Sequence, residues 1–403
     1  MPLAAILSAT AHASDHPELL RAQLQFATRP LIEYQARQAI QAGAGQIFIM
    51  VETVTPMLSR LVDHLGAPGV QVHLIRDMAS LMRQLPQESD VLLFAEGMIV
   101  DQAFVAALAA QPGNALLVAP DEAATSHLER IDPRTRWAGL ARIEPGLLFN
   151  TLDLIGDWDL VLTLFRAVAQ NEPRRLEATP ADIAEGRVAL VDRQEAADLV
   201  GQALAVRPDG GENEAGAERY LLAPPARLLA TRLLRMQIPV LHVRLMAAGM
   251  AALAGGVLVP GLGLVAMLLF LLALTFDMAA GQVARAGRMD LPGDFTRFLA
   301  PGLVLLGFVW LGYRHGATSD GVDLALLAAV ARGALERGRG GRVPPWAVLT
   351  PGSAVLILSV GVLLGMVATA LAIAVLLGIV SLAAMLLGPG AAGGSAGAGP
   401  VRP

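Results

Sequence analysis

At 403 residues the chain has room for two or three domains. An apolar fraction of 54% and a mean hydropathy of +0.54 are high for a protein that stays out of membranes. It holds no cysteine and no lysine. This excludes disulfides, thiolate metal sites and any chemistry that needs a P-loop or Schiff-base lysine. Residues 1–225 carry 29 acidic side chains against 17 Arg, whereas residues 226–403 carry 6 against 13, so the pattern predicts an acidic soluble domain followed by a membrane domain with basic edges. The acidic first half argues against a nucleic-acid partner.

The opening MPLAAILSATAHASDHPELL has no basic n-region and only a short apolar run. It reads as the edge of a first strand around Ile6 and Leu7, not as a signal peptide. Through residue 205, short apolar runs alternate with helical patterns. Strands are predicted at Ala4–Leu7, Gln46–Val51, Val70–Ile75, Val91–Ala95, Ala115–Ala119, Trp137–Ile143 and Val188–Val191. Helices are predicted between them, for example at Leu31–Ala42 and Asp157–Gln170. That alternation specifies an α/β sheet with helices on both faces. His12 and His16, four apart ahead of a helix, read as solvated caps, and Asp157 as an N-cap.

The segment Arg29-Pro30-Leu31-Ile32-Glu33-Tyr34, the helix ending in Ala42-Gly43-Ala44-Gly45 and the strand QIFIMVE resemble the sugar-phosphate nucleotidyltransferase family, as does Val191-Asp192-Arg193-Gln194-Glu195-Ala196-Ala197-Asp198-Leu199. The resemblance implies a Rossmann-like nucleotidyltransferase domain over residues 1–205. Such enzymes open with L-x-A-G-x-G-x-R, whose amides cradle nucleotide phosphates. Here the run is Leu7-Ser8-Ala9-Thr10-Ala11-His12-Ala13-Ser14, without glycine. In DVLLFAEGMIVD the metal-binding Asp of the pattern is replaced by Gly97, with Glu96 beside it as a substitute ligand. Gln194 stands where a second metal-binding Asp is expected.

Residues 206–237 read as a linker and juxtamembrane helix: Arg207–Glu218 is a Pro-, Gly- and acid-rich hinge, and Tyr220–Gln237 carries Arg and Leu at helical spacing. Beyond it, spans are predicted at about 238–259, 262–283 and 298–312, then a short fourth at Gly321–Ala331. The long uncharged stretch Val348–Gly388 supplies a fifth and sixth with a turn near Gly365. Six spans put twelve of the thirteen arginines of this half on one side, Arg314 being the exception. Residues 389–403, PGAAGGSAGAGPVRP, read as a disordered low-complexity tail.

At the end of the second span stands Asp277-Met278-Ala279-Ala280-Gly281-Gln282-Val283-Ala284-Arg285. It resembles the CDP-alcohol phosphatidyltransferase signature D-x2-D-G-x2-A-R, x8, G-x3-D-x3-D. Asp277, Gly281, Ala284 and Arg285 match; Ala280 replaces the second Asp, and the downstream acidic pair is out of register. The resemblance implies an all-α six-helix transmembrane domain over 238–388, with Asp277 as a metal ligand and Asp294 as a second candidate. Gly281, Ala284 and Arg285 then form the substrate-binding edge. Arg285 supplies charge-assisted bonds to phosphate, and Mg2+ or Mn2+ is implied wherever catalysis operates.

The domain order is similar to that of bifunctional inositol-phosphate cytidylyltransferase/CDP-inositol phosphotransferase proteins. Two readings follow. One is a membrane phosphotransferase moving a phosphoalcohol from a CDP-activated donor with impaired or lost catalysis; the other is a non-catalytic scaffold or regulator that binds a nucleotide, a lipid or an active paralogue. Either implies a multi-pass protein of a bacterial inner membrane, with the N-terminal domain and C-terminus cytoplasmic. The expected partners are the lipid bilayer, CDP-alcohol or nucleotide, and a second copy of the chain in a homodimer.

Overall fold

The structure, a computed structural model, describes residues 2–65, 69–153, 159–206, 215–287, 295–336 and 344–387. The chain divides into two compact units, residues 1–204 with 286–289 and residues 205–285 with 290–403.

The first unit opens with β1 (Leu3–Ala9), a tiny hairpin of β2 (Gln25–Phe26) and β3 (Arg29–Pro30), α1 (Leu31–Gln41), β4 (Ala44–Val51), α2 (Pro56–Leu65), β5 (Gln71–Ile75), α3 (Met78–Gln84) and β6 (Asp90–Phe94). It continues with β7 (Met98–Val100), α4 (Gln102–Ala110), β8 (Ala115–Pro120), β9 (Thr135–Ile143), α5 (Pro145–Leu152), α6 (Leu160–Gln170), β10 (Arg174–Glu177), α7 (Pro180–Ala184), β11 (Val188–Leu190) and α8 (Gln194–Val206). Seven strands form one sheet in the order β10-β8-β9-β6-β1-β4-β5. Neighbours are parallel except β9, which runs antiparallel to both β6 and β8.

Strand β1 is buried on both sides, so it reads as a continuous apolar run. Its alternate residues serve two cores. Ala5 and Leu7 pack with Ile32 and Ala36 of α1, Leu58 of α2 and Val105 of α4. Ala4 and Ile6 pack with Leu81 of α3, Leu148 of α5 and Leu164 of α6. Helices therefore cover both faces, as the alternation predicts. Two details differ from the sequence reading. The segment at Val188 leaves the main sheet and pairs antiparallel with β7 in a separate ribbon. Strand β10, with the sequence RRLE, forms a charged sheet edge that has no apolar alternation to announce it. Helix α6 starts at Leu160, capped by the Asp159 carboxylate on the Leu162 amide at 3.1 Å. Asp157 lies outside the described residues.

In the second unit, a short π-helical turn at Glu218–Leu222 leads into α9 (Ala223–Arg235). Six helices follow among the described residues: α10 (Val240–Leu258), α11 (Gly263–Ala286), α12 (Leu299–Arg314), α13 (Thr318–Glu336), α14 (Pro351–Leu363) and α15 (Val367–Leu387). Four segments, Val240–Leu258, Gly263–Ala286, Phe295–Arg314 and Val367–Leu386, are long and apolar enough to cross a membrane. The expected six spans are thus met by four on length and composition. Helix α13 carries Asp320, Asp323 and Arg332, and α14 has only 13 residues, or about 20 Å of rise against a hydrocarbon core of about 30 Å. Outward-facing Leu253, Leu268, Leu306 and Leu376 are exposed, an apolar surface that suits lipid.

Glycines set the closest helix contacts of this unit. A Cβ on Gly321 of α13 would lie 2.7 Å from the Phe308 carbonyl oxygen and 3.1 Å from Gly312 Cα, both on α12. The two backbones touch with no side chain between them, the small-residue mode of packing where lipid offers no hydrophobic drive. Arg314, the arginine that the six-span reading leaves on the outer side, has a local task. Its guanidinium donates to the carbonyls of Leu258 and Val259 at the C-terminal end of α10. Residues 207–214 of the predicted hinge, residues 288–294 and 337–343, and residues 388–403, which include the predicted tail, lie outside the described residues.

Candidate functional site

In the first unit the chain order reverses at β1: β4 and β5 extend the sheet on one side and β6 on the other. Open α/β sheets take ligands beyond the carboxyl ends of their strands at such a reversal. Here the segment leaving β1 meets the segment leaving β6. Glu96 extends its carboxylate across to Ser8–Ala11. Ser8 Oγ donates to Glu96 Oε2 at 3.0 Å, Thr10 N at 3.1 Å and Thr10 Oγ1 at 3.3 Å. The Ala11 amide lies 3.0 Å from both carboxylate oxygens. A cavity of about 240 Å3 opens beside this contact, lined by Arg21, Glu96, His127, Glu129, Trp137 and Asp159 among others.

Glu96, Gly97 and Gln194, singled out in the sequence, each have a local role here. Glu96, expected as a substitute metal ligand, is an acceptor for the β1 loop. Gly97 adopts φ +79°, and a Cβ there would lie 2.6 Å from the Val191 carbonyl oxygen. The Val191 amide in turn donates to the Gly97 carbonyl at 2.7 Å. A carboxylate side chain at 97 would break this pairing. Gln194 accepts from the Gln25 amide at 2.9 Å and donates to its carbonyl at 2.8 Å, clamping β2. His12 and His16 are solvent-exposed. In the Arg29–Tyr34 stretch, Glu33 is a buried acid between Arg29 and Arg37, with Arg37 Nη2 at 2.9 Å. Burial pulls the Arg37 guanidinium below its ordinary value and Arg29 adds to this, while Glu33 opposes both.

In the second unit, Asp277, Gly281, Ala284 and Arg285 lie on the C-terminal half of α11. Asp277 is 8% exposed, and its carboxylate pairs with Arg332 of α13 at 3.6 Å. Arg244 of α10, also buried, is the second cation acting on it, and its Nη1 donates to Thr296 Oγ1 at 3.2 Å. Arg285 is exposed and lies about 12 Å further along the helix axis. The cation facing Asp277 is therefore Arg332. Ala280 and Ala284 are fully buried in helix packing. Gly281 is half-buried, and a Cβ there would meet nothing within 4 Å. Gln282 is buried, and its Oε1 has no hydrogen-bond partner among the described residues.

Asp290 and Asp294 lie outside the described residues. Among the described residues no group of three or more His, Asp or Glu side chains is placed to hold a metal ion. Hard divalent cations take several oxygen ligands, and Asp277 already faces a guanidinium. The described residues of this region do not fit a divalent-cation pair. Sequence reasoning did not find Arg332, Arg244 or the part played by Glu96. A signal existed for Arg244, since an acid at membrane depth demands a cation and Arg244 lies on the adjoining apolar segment.

The sequence matches no known family profile. It matches no curated relative either. Among solved structures it is similar to a crystal structure of UDP-glucose pyrophosphorylase complexed with UDP-glucose, at 10% identity and a TM-score of 0.32, over 43% of this chain and 88% of that one.

Proposed function

We propose that the protein is a membrane-embedded, non-catalytic relative of proteins that join a nucleotidyltransferase-like unit to a CDP-alcohol phosphotransferase-like unit, and that it acts by binding a phosphate-bearing ligand, a CDP-alcohol or a phospholipid. The carrying observation is the pair Asp277–Arg332. A guanidinium neutralises the one motif carboxylate among the described residues, in the place where phosphoryl transfer needs a cation to clamp the donor. Burial of Ala280, where the pattern has its second Asp, supports the same reading. Gly281 supports binding. A Cβ there meets nothing within 4 Å, as at Gly249 and Gly302, so this face of the helix leaves its backbone open to an approaching ligand.

The same reading favours six crossings. Helix α13 meets α12 at Gly321, near its own start, and reaches Asp277 through Arg332, near its end. It thus runs back along the bundle although its composition alone does not announce a span.

The test is CMP release from CDP-alcohols by the full chain in detergent micelles with Mg2+ or Mn2+. The expected result is no release above the protein-free control, with CDP-alcohol still bound. Arg285→Ala is expected to weaken that binding about tenfold, the worth of one charge-assisted bond to phosphate. Steady CMP release that disappears in Asp277→Ala sinks the reading.

A further inference from the structure

We propose that the Ser8–Ala11 loop is an oxyanion-binding site whose occupant is the chain's own Glu96 carboxylate, and that this residue closes the adjoining pocket to phosphate groups. The inference concerns the first unit alone and goes beyond the reading of the membrane half.

Four donors of the β1 loop converge on one carboxylate: the amides of Thr10 and Ala11 and the hydroxyls of Ser8 and Thr10. Consecutive backbone amides aimed at one point form an anion-binding concavity. The contact joins residues more than 80 positions apart in the chain. It lies where the sheet's strand order reverses, the position at which such folds receive ligands. It is also well built. Ser8 is buried, and the strands that launch the two segments are held in register, with Ile6 opposite Leu93. Gly97, pinned to Val191, fixes the backbone that aims Glu96. A carboxylate resembles one face of a phosphate in charge and acceptor geometry, so both compete for the same donors. Among the lining groups Arg21 would be the cation nearest in kind to a phosphate partner, and Asp159 is engaged on the Leu162 amide.

The experiment is anion rescue on the full chain in detergent. Wild type, Glu96→Ala and Glu96→Gln are melted with inorganic phosphate, with CTP, and with chloride at matched ionic strength. The expected result is a lower melting temperature for Glu96→Ala that phosphate or CTP restores and chloride does not. Apparent affinity for phosphate should be at least tenfold tighter in that variant than in wild type. Tighter binding of CTP than of phosphate would mean that the pocket also receives sugar and base; equal binding would mean that it reads phosphate alone, and both support the site. If Glu96→Ala does not fold, Glu96→Gln, which keeps the volume and drops the charge, must show the phosphate-specific gain. A folded variant without that gain, or a wild type equally stabilised by phosphate, overturns the proposal.

Discussion

At the scale of single residues, the pairs that matter are those in which one group stands where another chemistry was expected. Gly97 is the clearest. Its positive φ and the Val191 carbonyl 2.6 Å from its Cβ position leave no room for a side chain. Gly97→Ala is expected to destabilise the first unit by about 1–3 kcal/mol through strain and a backbone shift, seen as faster hydrogen exchange in β7 and β11. Glu33 makes a second case. Replacing it with Gln leaves Arg37 buried beside Arg29 without its counter-charge, and the expected loss is about 3 kcal/mol, measurable as a drop in denaturant midpoint. Much of this level was legible in part. The substitutions at 97, 194 and 280 are visible in the chain, but what replaced the missing chemistry was not. The Glu96 carboxylate and the β1 loop are some 85 residues apart, and only the sheet order brings them together. Arg332 sits on the least apolar of the helices α10 to α15, so its partner at 277 follows from packing and not from spacing.

At the scale of elements, periodicity located what it could. Central strands β1, β4, β6, β8 and β9 are apolar runs because both their faces are covered. Edge strand β10 was invisible because its stabilisation is ionic. Asp132 accepts from the Arg134 and Thr135 amides at 2.8 and 2.9 Å and pairs with Arg175 of β10 at 2.6 Å. These bonds, the Arg134 amide foremost, hold its carboxyl well below the usual range. Asp121, bonded foremost by Arg136, is lowered as well. A carboxylate with a depressed folded pKa contributes stability above its unfolded value, near 3.9, and loses it as pH falls toward the folded value. The β8–β10 edge is therefore expected to be insensitive from pH 7 to 5 and to loosen below about pH 4. Hydrogen exchange at β10 checks this, and Asp132→Asn should flatten the acid response. On the helical side, the α12–α13 seam predicts that Gly321→Val forces the backbones apart. The expected outcome is a loss of thermal stability in micelles greater than that of Gly302→Val, where a Cβ meets nothing within 4 Å.

At the scale of the whole molecule, the split of charge between an acidic front and a basic rear was readable from composition alone, and so was the change from α/β alternation to apolar helices. The number of crossings was not, because among the described residues length and hydropathy qualify four helices while six, α10 to α15, follow α9. The chain has no cysteine, so single thiols can map its topology without background. Trp346, exposed and just ahead of α14, decides the matter. With six crossings a Trp346→Cys thiol lies on the same side as one at Tyr220; if α13 and α14 do not cross, it lies on the opposite side. Labelling of the membrane-inserted chain in sealed vesicles with a membrane-impermeant maleimide is expected to treat the two thiols alike, both reacting or both protected.

The glycine seam between α12 and α13 also bears on how the protein is made. Helix α13 carries two aspartates in its first turns, at 320 and 323, and as an isolated segment it would partition poorly from the translocon into lipid. On the proposed six-crossing reading, α13, joined to α12 by the short turn at His315–Ala317 and matched to it backbone against backbone, enters as the second arm of a hairpin led by the more apolar partner. On that reading the delivery of Arg332 to residue 277 rests on two hydrogen atoms, at Gly312 and Gly321, where other residues would carry a side chain.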